Sequence, residues 1–166
     1  QVVWVSSWFD PGKERDAALA LISQGCDVLL QNTDSPAVVQ AAKQKGVWGL
    51  GWNSDMGKFG GDAQLAAAVL HWDPIYEKVL KDVAANKWTN APIYYGVKEG
   101  TVNVENIGKA VSADAKKMVL ARRDAIKAGK LNPFAGPLYT QAGKEFVKAG
   151  SVYTEAQLDK MNFYVQ

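Results

Sequence analysis

The chain has 166 residues, of which 48% are apolar and 22% charged, so it can bury a core and is too polar for a membrane-embedded protein. Its formal net charge is +2 with the basic residues scattered, a pattern typical of solvated helix faces and not of a nucleic-acid-binding surface. The single cysteine, Cys26, excludes a disulfide framework. We expect one globular domain, or part of a larger one.

The first third of the chain predicts alternating strands and helices. Residues 2–5, 28–30 and 47–51 are short continuous apolar runs, which are typical of strands covered on both faces. Because the chain opens within the first of these runs, and without a signal-peptide pattern, we expect a mature chain or a fragment of something longer.

Helix signals separate these runs. Before the second run, Asp10 is suited to cap a helix, Pro11 to its first position and Gly25 to its end. Before the third, Ser35 and Pro36 predict a helix start, and Gly46 predicts its end. The order strand, helix, strand, helix, strand implies right-handed crossovers, and therefore an α/β fold with a three-layer α/β/α parallel sheet.

The remaining two thirds are less regular. Residues 52–62 predict a glycine-rich loop, 63–72 either a strand or the start of a helix, 74–88 a helix, and 91–104 a strand followed by a glycine turn. A helix capped by Ser112 and ended by Gly129 comes next, followed by a turn-rich hairpin over residues 131–150. The chain closes with a short helix starting at Thr154 and a strand-like stretch, 163–166.

Polar and aromatic side chains follow each of the first three predicted strands. In an open parallel sheet, ligands bind beyond the carboxyl ends of the strands, where loops and helix N-termini converge. Aromatic rings supply stacking area, and amides and carboxylates read the edge of a ring or chelate sugar hydroxyls. The candidate ligand-binding residues are Trp8, Asn32, Asp34, Asn53 and Asp55.

Structural roles compete with these assignments. Helix capping explains Asp10 and Ser35. It does not explain Asp34, because Ser35 already caps the same helix. Trp8 could instead cover the sheet edge, and the segment from Asn53 to Asp55 could form an Asx-turn.

Catalytic patterns are weak. His71 is the only histidine and has no cysteine partner at ligand spacing, which disfavours a zinc site. The chain has no G-x-S-x-G, P-loop or G-x-G-x-x-G motif. Asp34 and Asp55 could pair as in a glycosidase, but nothing marks one as the acid and the other as the nucleophile. We therefore expect a binding protein that is not an enzyme and uses no metal or cofactor.

Several blocks carry a family resemblance, above all "WFDPGKE" and "TDSP", together with "GVWGLGWNSDM", "KEGTVNV", "LNPFAGPL" and "YTEAQLDKMNFYVQ". Through essentially all 166 residues, the chain resembles the basic-membrane-protein (BMP) family of substrate-binding lipoproteins. These serve ABC transporters for purines and nucleosides and have the type I periplasmic-binding-protein fold. The resemblance covers the later half of a typical member.

The resemblance implies two α/β lobes that close on a ligand like a clamshell. Residues 1–70 would form the core of the second lobe. Residues 71–166 would continue it, with a crossover to the first lobe, a C-terminal helix and hairpin segments. The purine would lie between aromatic rings. By the same resemblance Trp8 stacks on or flanks it, Asn32 and Asp34 line the pocket, and Asn53 and Asp55 form a polar hook.

Two departures from nucleoside-binding relatives indicate a free base such as adenine. Those relatives often carry an acid where this chain has Asn53 and a lysine near the position of Leu70. The resemblance also implies an ABC permease as partner, no nucleic acid, and an association with the first lobe or another copy of the chain. It places the protein in the periplasm or on the extracytoplasmic face of the membrane, lipid-anchored when full length. The alternatives are a small-molecule sensor with the same fold and a nucleoside hydrolase.

Overall fold

A computed structural model describes residues 1–163 of the chain. It divides into two compact units, Gln1–Arg123 and Asp124–Gln166. The assignment of residues 1–70 and 71–166 to parts of two lobes stays a prediction. No helix within the described residues is long and apolar enough to cross a membrane.

The first unit is built on a four-stranded sheet in which neighbouring strands follow the chain order. The first three strands are parallel, and the fourth is antiparallel to the third. This parallel-dominated sheet confirms the predicted α/β class. The strands are β1 (Val28–Leu30), β2 (Trp48–Asn53), β3 (Gln64–Leu70) and β4 (Val102–Glu105).

Helices precede and connect these strands. They are α1 (Pro11–Ser23), α2 (Ala37–Lys45), α3 (Gly57–Gly60), a 3₁₀ turn (Gly61–Ala63) and α4 (Asp73–Ala84). The Asp10 carboxylate accepts a hydrogen bond from the Lys13 amide at 3.1 Å, which confirms the predicted cap of α1. At the end of α2, Gly46 has a φ of +70°, a left-handed conformation that glycine adopts readily at the end of a helix.

The start of α2 differs from its prediction by one residue. Pro36 occupies the N-cap position, and the helix begins at Ala37. The Ser35 hydroxyl nevertheless accepts a hydrogen bond from the Ala37 amide at 3.3 Å, as a capping side chain does. Ser35 therefore supports the helix start from just outside it.

The hydrophobic core lies between the sheet and the pair α1 and α2. Its buried cluster consists of Ala18, Leu29, Val38, Ala41 and Ala42. Gly49 lets β2 approach α2 closely, since a methyl group there would lie 3.2 Å from a Val39 methyl. On the other side of β1, the side chains of Val28 and Leu30 are exposed.

Two strand predictions are wrong in whole or in part. Residues 2–5 form no strand, because an apolar run becomes a strand only where a neighbour pairs with it, and β1 pairs with β2 alone within the described residues. In the stretch 91–104 only the end, β4, is a strand. Pro92, in its first part, lacks the N–H that a sheet ladder needs. Residues 64–70, left open between strand and helix, form β3.

The remaining elements follow their predictions. Helix α5 (Ala113–Lys127) spans the boundary of the two units, is capped by the Ser112 hydroxyl and is followed by Gly129 at a φ of +68°. In the second unit, β5 (Leu138–Tyr139) and β6 (Glu145–Val147) form the antiparallel hairpin. Thr154 starts α6 (Glu155–Leu158) with a capping box. The strand predicted for residues 163–166 lies outside the described residues except for Phe163.

Candidate functional site

The segment before α1 is fastened to the loop after β1. The Trp8 carbonyl accepts a hydrogen bond from the Asp34 amide at 2.8 Å. This bond places Trp8 at the carboxyl end of the sheet, where the sequence predicted a ligand site. The Trp8 side chain is 69% exposed, so most of its ring is free to stack on a ligand.

Asp34 and Asn53 meet at the same edge. The Asn53 amide donates a hydrogen bond to one carboxylate oxygen of Asp34. Asn53 is the last residue of β2 and has a φ of +61°, a left-handed conformation that asparagine tolerates better than most residues. The structure therefore brings together two of the five candidate residues, from loops that are 19 positions apart in the chain.

Asp55 makes a separate cluster. Its carboxylate accepts two hydrogen bonds from the Asn106 amide, at 2.9 and 3.1 Å, and one from the Gln64 side chain at 2.8 Å. It also accepts one from the Gly57 backbone at 2.9 Å. These contacts tie Asp55 to the start of β3 and to the residue after β4, and not to Asp34 or Asn53.

The Asp55 cluster favours the ionised carboxylate. Hydrogen bonding from the Asn106 amide, helped by Gln64 and Gly57, holds the pKa of the Asp55 carboxyl below its ordinary value. Partial desolvation acts in the opposite direction and is the weaker influence. Asp55 therefore carries its negative charge throughout the neutral range, held by neutral donors.

Asn32 is exposed, and it lines a groove that the Asp34–Asn53 pair does not. Asn32 and Trp8 line one end of a groove of about 670 Å³, whose other lining residues come from the first seven positions and from β1 and its surroundings. Asp34, Asn53 and Asp55 do not line this groove. The five candidate residues thus fall into three groups along one edge of the sheet.

Sequence reasoning missed a buried carboxylate that holds the loop after β1. Glu14 is 1% exposed, and it accepts hydrogen bonds from the Thr33 hydroxyl at 2.8 Å and the Ser35 hydroxyl at 2.7 Å. Its other oxygen accepts the Asp10 amide at 3.0 Å. The available signal was an acidic residue in the first turn of a helix, next to the cap. Glu14 thereby fixes the backbone on both sides of Asp34.

Gln31 completes this support. Its side-chain amide donates to the backbone carbonyls of Thr33 and Ser35, at 2.7 and 2.8 Å. Because Gln31 is buried, these bonds are shielded from water. The loop that presents Asn32 and Asp34 is therefore held by Glu14 from one side and by Gln31 from within.

Residues 1–132 match the family model described as "ABC transporter substrate-binding protein PnrA-like". The chain belongs to this family. A purine-binding protein of Brucella abortus is 46% identical over 165 residues, 99% of this chain and 47% of the relative. A putative ABC transporter glucose-binding protein of Haloferax volcanii is 37% identical over 147 residues, 89% of this chain and 38% of the relative. This PnrA-like chain thus spans about half the length, or less, of these curated relatives.

Solved structures agree on the fold. An ABC transporter solute-binding protein from Conexibacter woesei has a TM-score of 0.62 at 21% identity, covering 80% of this chain and 45% of that one. A transcriptional activator of the comK gene from Bacillus halodurans has a TM-score of 0.70 at 23% identity, covering 78% and 47%. The PnrA-like family consists of extracytoplasmic substrate-binding proteins and not of enzymes. Membership of this family confirms the prediction that the chain is not an enzyme.

Proposed function

We propose that this protein captures a purine base of the adenine type, or a nucleoside, for import by an ABC transporter. The observation that carries the proposal is the Asp34–Asn53 pair fastened beside Trp8. An amide and a carboxylate side by side offer both a donor and an acceptor to the edge of a purine, and an exposed indole offers a stacking face. The purine-binding name of the Brucella relative supports this reading.

Each candidate residue has a proposed role. Trp8 stacks on the ring, Asn32 and Asp34 line the pocket, and Asn53 hydrogen-bonds to the polar edge of the ligand. Asp55 contributes to the polar hook indirectly, by holding its loop in place, because its own carboxylate already accepts four hydrogen bonds. Asn53, an amide where nucleoside-binding relatives often carry an acid, favours a free base.

Binding itself is the whole mechanism, without a chemical step. In the proposed protein two lobes enclose the ligand, and the ligand shifts the equilibrium towards the closed form by binding that form more tightly. Residues 1–70 would contribute the wall of the second lobe. A lipid anchor would hold the full-length protein at the outer face of the membrane, and the permease would accept the closed form.

A sugar is the second candidate ligand. The Haloferax relative is named for glucose, and carboxylates and amides also chelate sugar hydroxyls. The purine comes first because the Brucella relative is 46% identical and the Haloferax relative 37%.

Isothermal titration of a family-length polypeptide carrying this sequence tests the proposal. We expect adenine to bind more tightly than adenosine, inosine or glucose. Asp34→Ala should weaken adenine binding at least about tenfold, because it removes a hydrogen-bond acceptor for the enclosed ligand. Asp62→Ala, an exposed carboxylate in the 3₁₀ turn, is the matched control and should leave the affinity unchanged. Preferred binding of glucose would establish the second candidate. Unchanged adenine affinity in both Asp34→Ala and Asp55→Ala would show that the site is wrongly assigned.

A further inference from the structure

His71 continues β3 by one residue at the carboxyl edge of the sheet. Its backbone amide donates a hydrogen bond to the Thr101 carbonyl at 2.8 Å, directly beyond the last pair of the β3–β4 ladder, Leu70 and Val102. His71 is the only histidine of the 166 residues. The candidate ligand-binding residues all precede β3 in the chain, so none of them occupies this end of the strand.

The strand register places His71 close to the Asp34–Asn53 pair. In the parallel ladder of β2 and β3, Asn53 lies beside Val69, two residues before His71. Neighbouring strands lie about 4.8 Å apart and rise about 3.3 Å per residue, so the Cα atoms of Asn53 and His71 are about 8 Å apart. A planar ligand that meets Asn53 with one edge can therefore reach the imidazole with another.

Two side chains of β4 hold the imidazole. β4 pairs Asn103 with Val69 and Glu105 with Ala67, so the side chains of Asn103 and Glu105 lie on the same face of the sheet as His71. One oxygen of the Glu105 carboxylate lies 2.6 Å from Nε2 of His71. The same oxygen accepts a hydrogen bond from the Asn103 amide at 3.0 Å. The ring is thus anchored through one of its two nitrogens.

The Glu105 carboxylate determines which ring nitrogen carries the hydrogen. The hydrogen bond from His71 holds the pKa of the Glu105 carboxyl below its ordinary value, while desolvation and the charge of Asp55 act in the opposite direction. An ionised carboxylate only accepts hydrogen bonds, so Nε2 of His71 carries a hydrogen. In the neutral ring, Nδ1 is then an acceptor.

The second ring nitrogen, Nδ1, is open to a ligand. Among residues 1–163 no group is hydrogen-bonded to Nδ1, and 38% of the His71 side chain is exposed. Glu105 is exposed to a similar extent, and ion pairs that are this exposed contribute little to stability. The pair does fix the tautomer and the orientation of the ring, which a histidine needs in order to present one nitrogen to a ligand.

We propose that His71 is a further ligand-binding residue of this site, whose Nδ1 accepts a hydrogen bond from an N–H group of the purine. Glu105 is then a positioning residue, which acts on the ligand through the imidazole. The inference rests on the proposed function and extends its recognition of the ligand from Asp34 and Asn53 to the end of β3. Adenine suits this acceptor because its exocyclic amine is a hydrogen-bond donor.

Nitrogen NMR of the 166-residue chain, without an affinity tag and with isotope-labelled histidine, tests the inference. Because His71 is the only histidine, both ring signals belong to it. We expect the neutral ring to carry its hydrogen on Nε2, and millimolar adenine to shift the Nδ1 signal while that hydrogen stays in place. The indole N–H signal of Trp8, identified by its loss in Trp8→Leu, reports adenine binding independently.

The outcomes separate this inference from the proposed function. Glu105→Ala removes the acceptor of Nε2, so the hydrogen should then populate both ring nitrogens. An Nδ1 signal that stays unchanged while the Trp8 signal shifts would overturn the inference alone, as would a neutral ring with its hydrogen on Nδ1. No adenine binding in isothermal titration of the family-length polypeptide would overturn the proposed function, and the inference with it.

Two variants of the family-length polypeptide measure the contribution to affinity. His71→Phe keeps a flat ring and removes both nitrogens, so adenine should bind at least about tenfold more weakly. Glu77→Gln breaks another exposed ion pair, with Lys81 on α4, and as the matched control it should leave the affinity unchanged. Circular dichroism checks that both variants fold. Equal adenine affinities of the two variants would contradict the role of His71.

Discussion

Two asparagines with left-handed backbone shape the candidate site. Asn53 ends β2 at a φ of +61° and reaches Asp34, and Asn106 follows β4 at a φ of +46° and reaches Asp55. A non-glycine residue in this region is uncommon, and it persists where the surrounding contacts favour it. In both cases the side-chain amide bonds to a carboxylate from another loop, so these two residues connect the loops of the site.

The lowered pKa of Asp55 predicts an acid-dependent part of the stability. A group with a depressed folded pKa contributes stability that is present above its unfolded pKa, about 3.9, and is lost as the pH falls through the folded pKa. Asn106→Gly removes the first cause of the depression without straining the backbone. We therefore expect the destabilisation caused by Asn106→Gly to be larger at pH 6 than at pH 3.

Urea unfolding at four pH values between 6 and 3 measures this difference. Asn86→Gly is the matched control, because Asn86 is also exposed and also has a positive φ, of +54°. Its effect on the free energy of unfolding should not change over the same pH range. A constant gap between the wild type and Asn106→Gly would contradict the role of this hydrogen bond.

Removal of the buried Glu14 carboxylate should strongly destabilise the loop after β1, which it holds. Glu14→Ala leaves the Thr33 and Ser35 hydroxyls without their acceptor in a buried place and opens a cavity, so we expect a loss of about 2–4 kcal/mol in the free energy of unfolding. Asp16→Ala, an exposed carboxylate on the same helix, should change it by less than about 0.5 kcal/mol. Similar chemical denaturation midpoints for the two variants would mean that the buried network contributes little.

At the scale of residues, the sequence indicates which side chains lie at one edge of the sheet, but it does not indicate all of the residues that they contact. Asp34 and Asn53 could be selected because both follow predicted strands, which meet at one edge of a parallel sheet. The contact of Asp55 with Asn106 joins positions 51 apart in the chain and depends on an antiparallel strand that was misplaced in the sequence interpretation. Neither periodicity nor capping signals encode such a contact.

At the scale of elements, local signals determine the helices. Asp10 and Ser112 each accept a hydrogen bond from a backbone amide in the first turn of the helix they start, and Thr154 starts α6 with a capping box in which its amide donates to the Gln157 side chain, as predicted. Strands depend on distant partners, so apolar composition alone misplaces them. Residues 2–5 have the composition of a strand but are not one, whereas the alanine-rich β3 is a strand because β2 and β4 pair with its two edges.

Gly108, which follows β4, packs closely against the backbone at the start of β3. A methyl group on Gly108 would lie 2.4 Å from the Gln64 carbonyl oxygen, which is backbone and cannot rotate away. The Gly108 amide also donates to the Leu65 carbonyl at 2.8 Å. Gly108→Ala should therefore displace the loop that carries Asn106 and cost about 1–3 kcal/mol.

Gly96 provides the matched control for this prediction. A methyl group there would meet no atom within 4 Å, and its backbone is not left-handed, so Gly96→Ala should change the free energy of unfolding by less than about 0.5 kcal/mol. Thermal and urea unfolding of both variants check the prediction. Equal stability of Gly108→Ala and the wild type would show that the loop has room to adjust.

At the scale of the whole molecule, the candidate ligand-binding side chains lie in separate groups along one open edge of a single sheet. Trp8, Asn32, Asp34 and Asn53 come from a single edge of one sheet, and the Trp8 ring is 69% exposed. Small-molecule sites bury about 70–90% of their ligand, which one open wall cannot do. The proposed function therefore includes a second lobe that covers the other side of the ligand, as the resemblance implies.

An open site also limits the affinity for a ligand, because part of the ligand stays in water. Because this edge of the sheet would cover only one face of a stacked purine, we expect the 166-residue chain to bind adenine at least about 100-fold more weakly than a family-length polypeptide that carries it, a difference of about 2.7 kcal/mol. Isothermal titration measures both affinities, and Trp8→Leu removes the stacking ring as a control. Equally tight binding by the 166-residue chain would mean that this edge of the sheet encloses the ligand by itself.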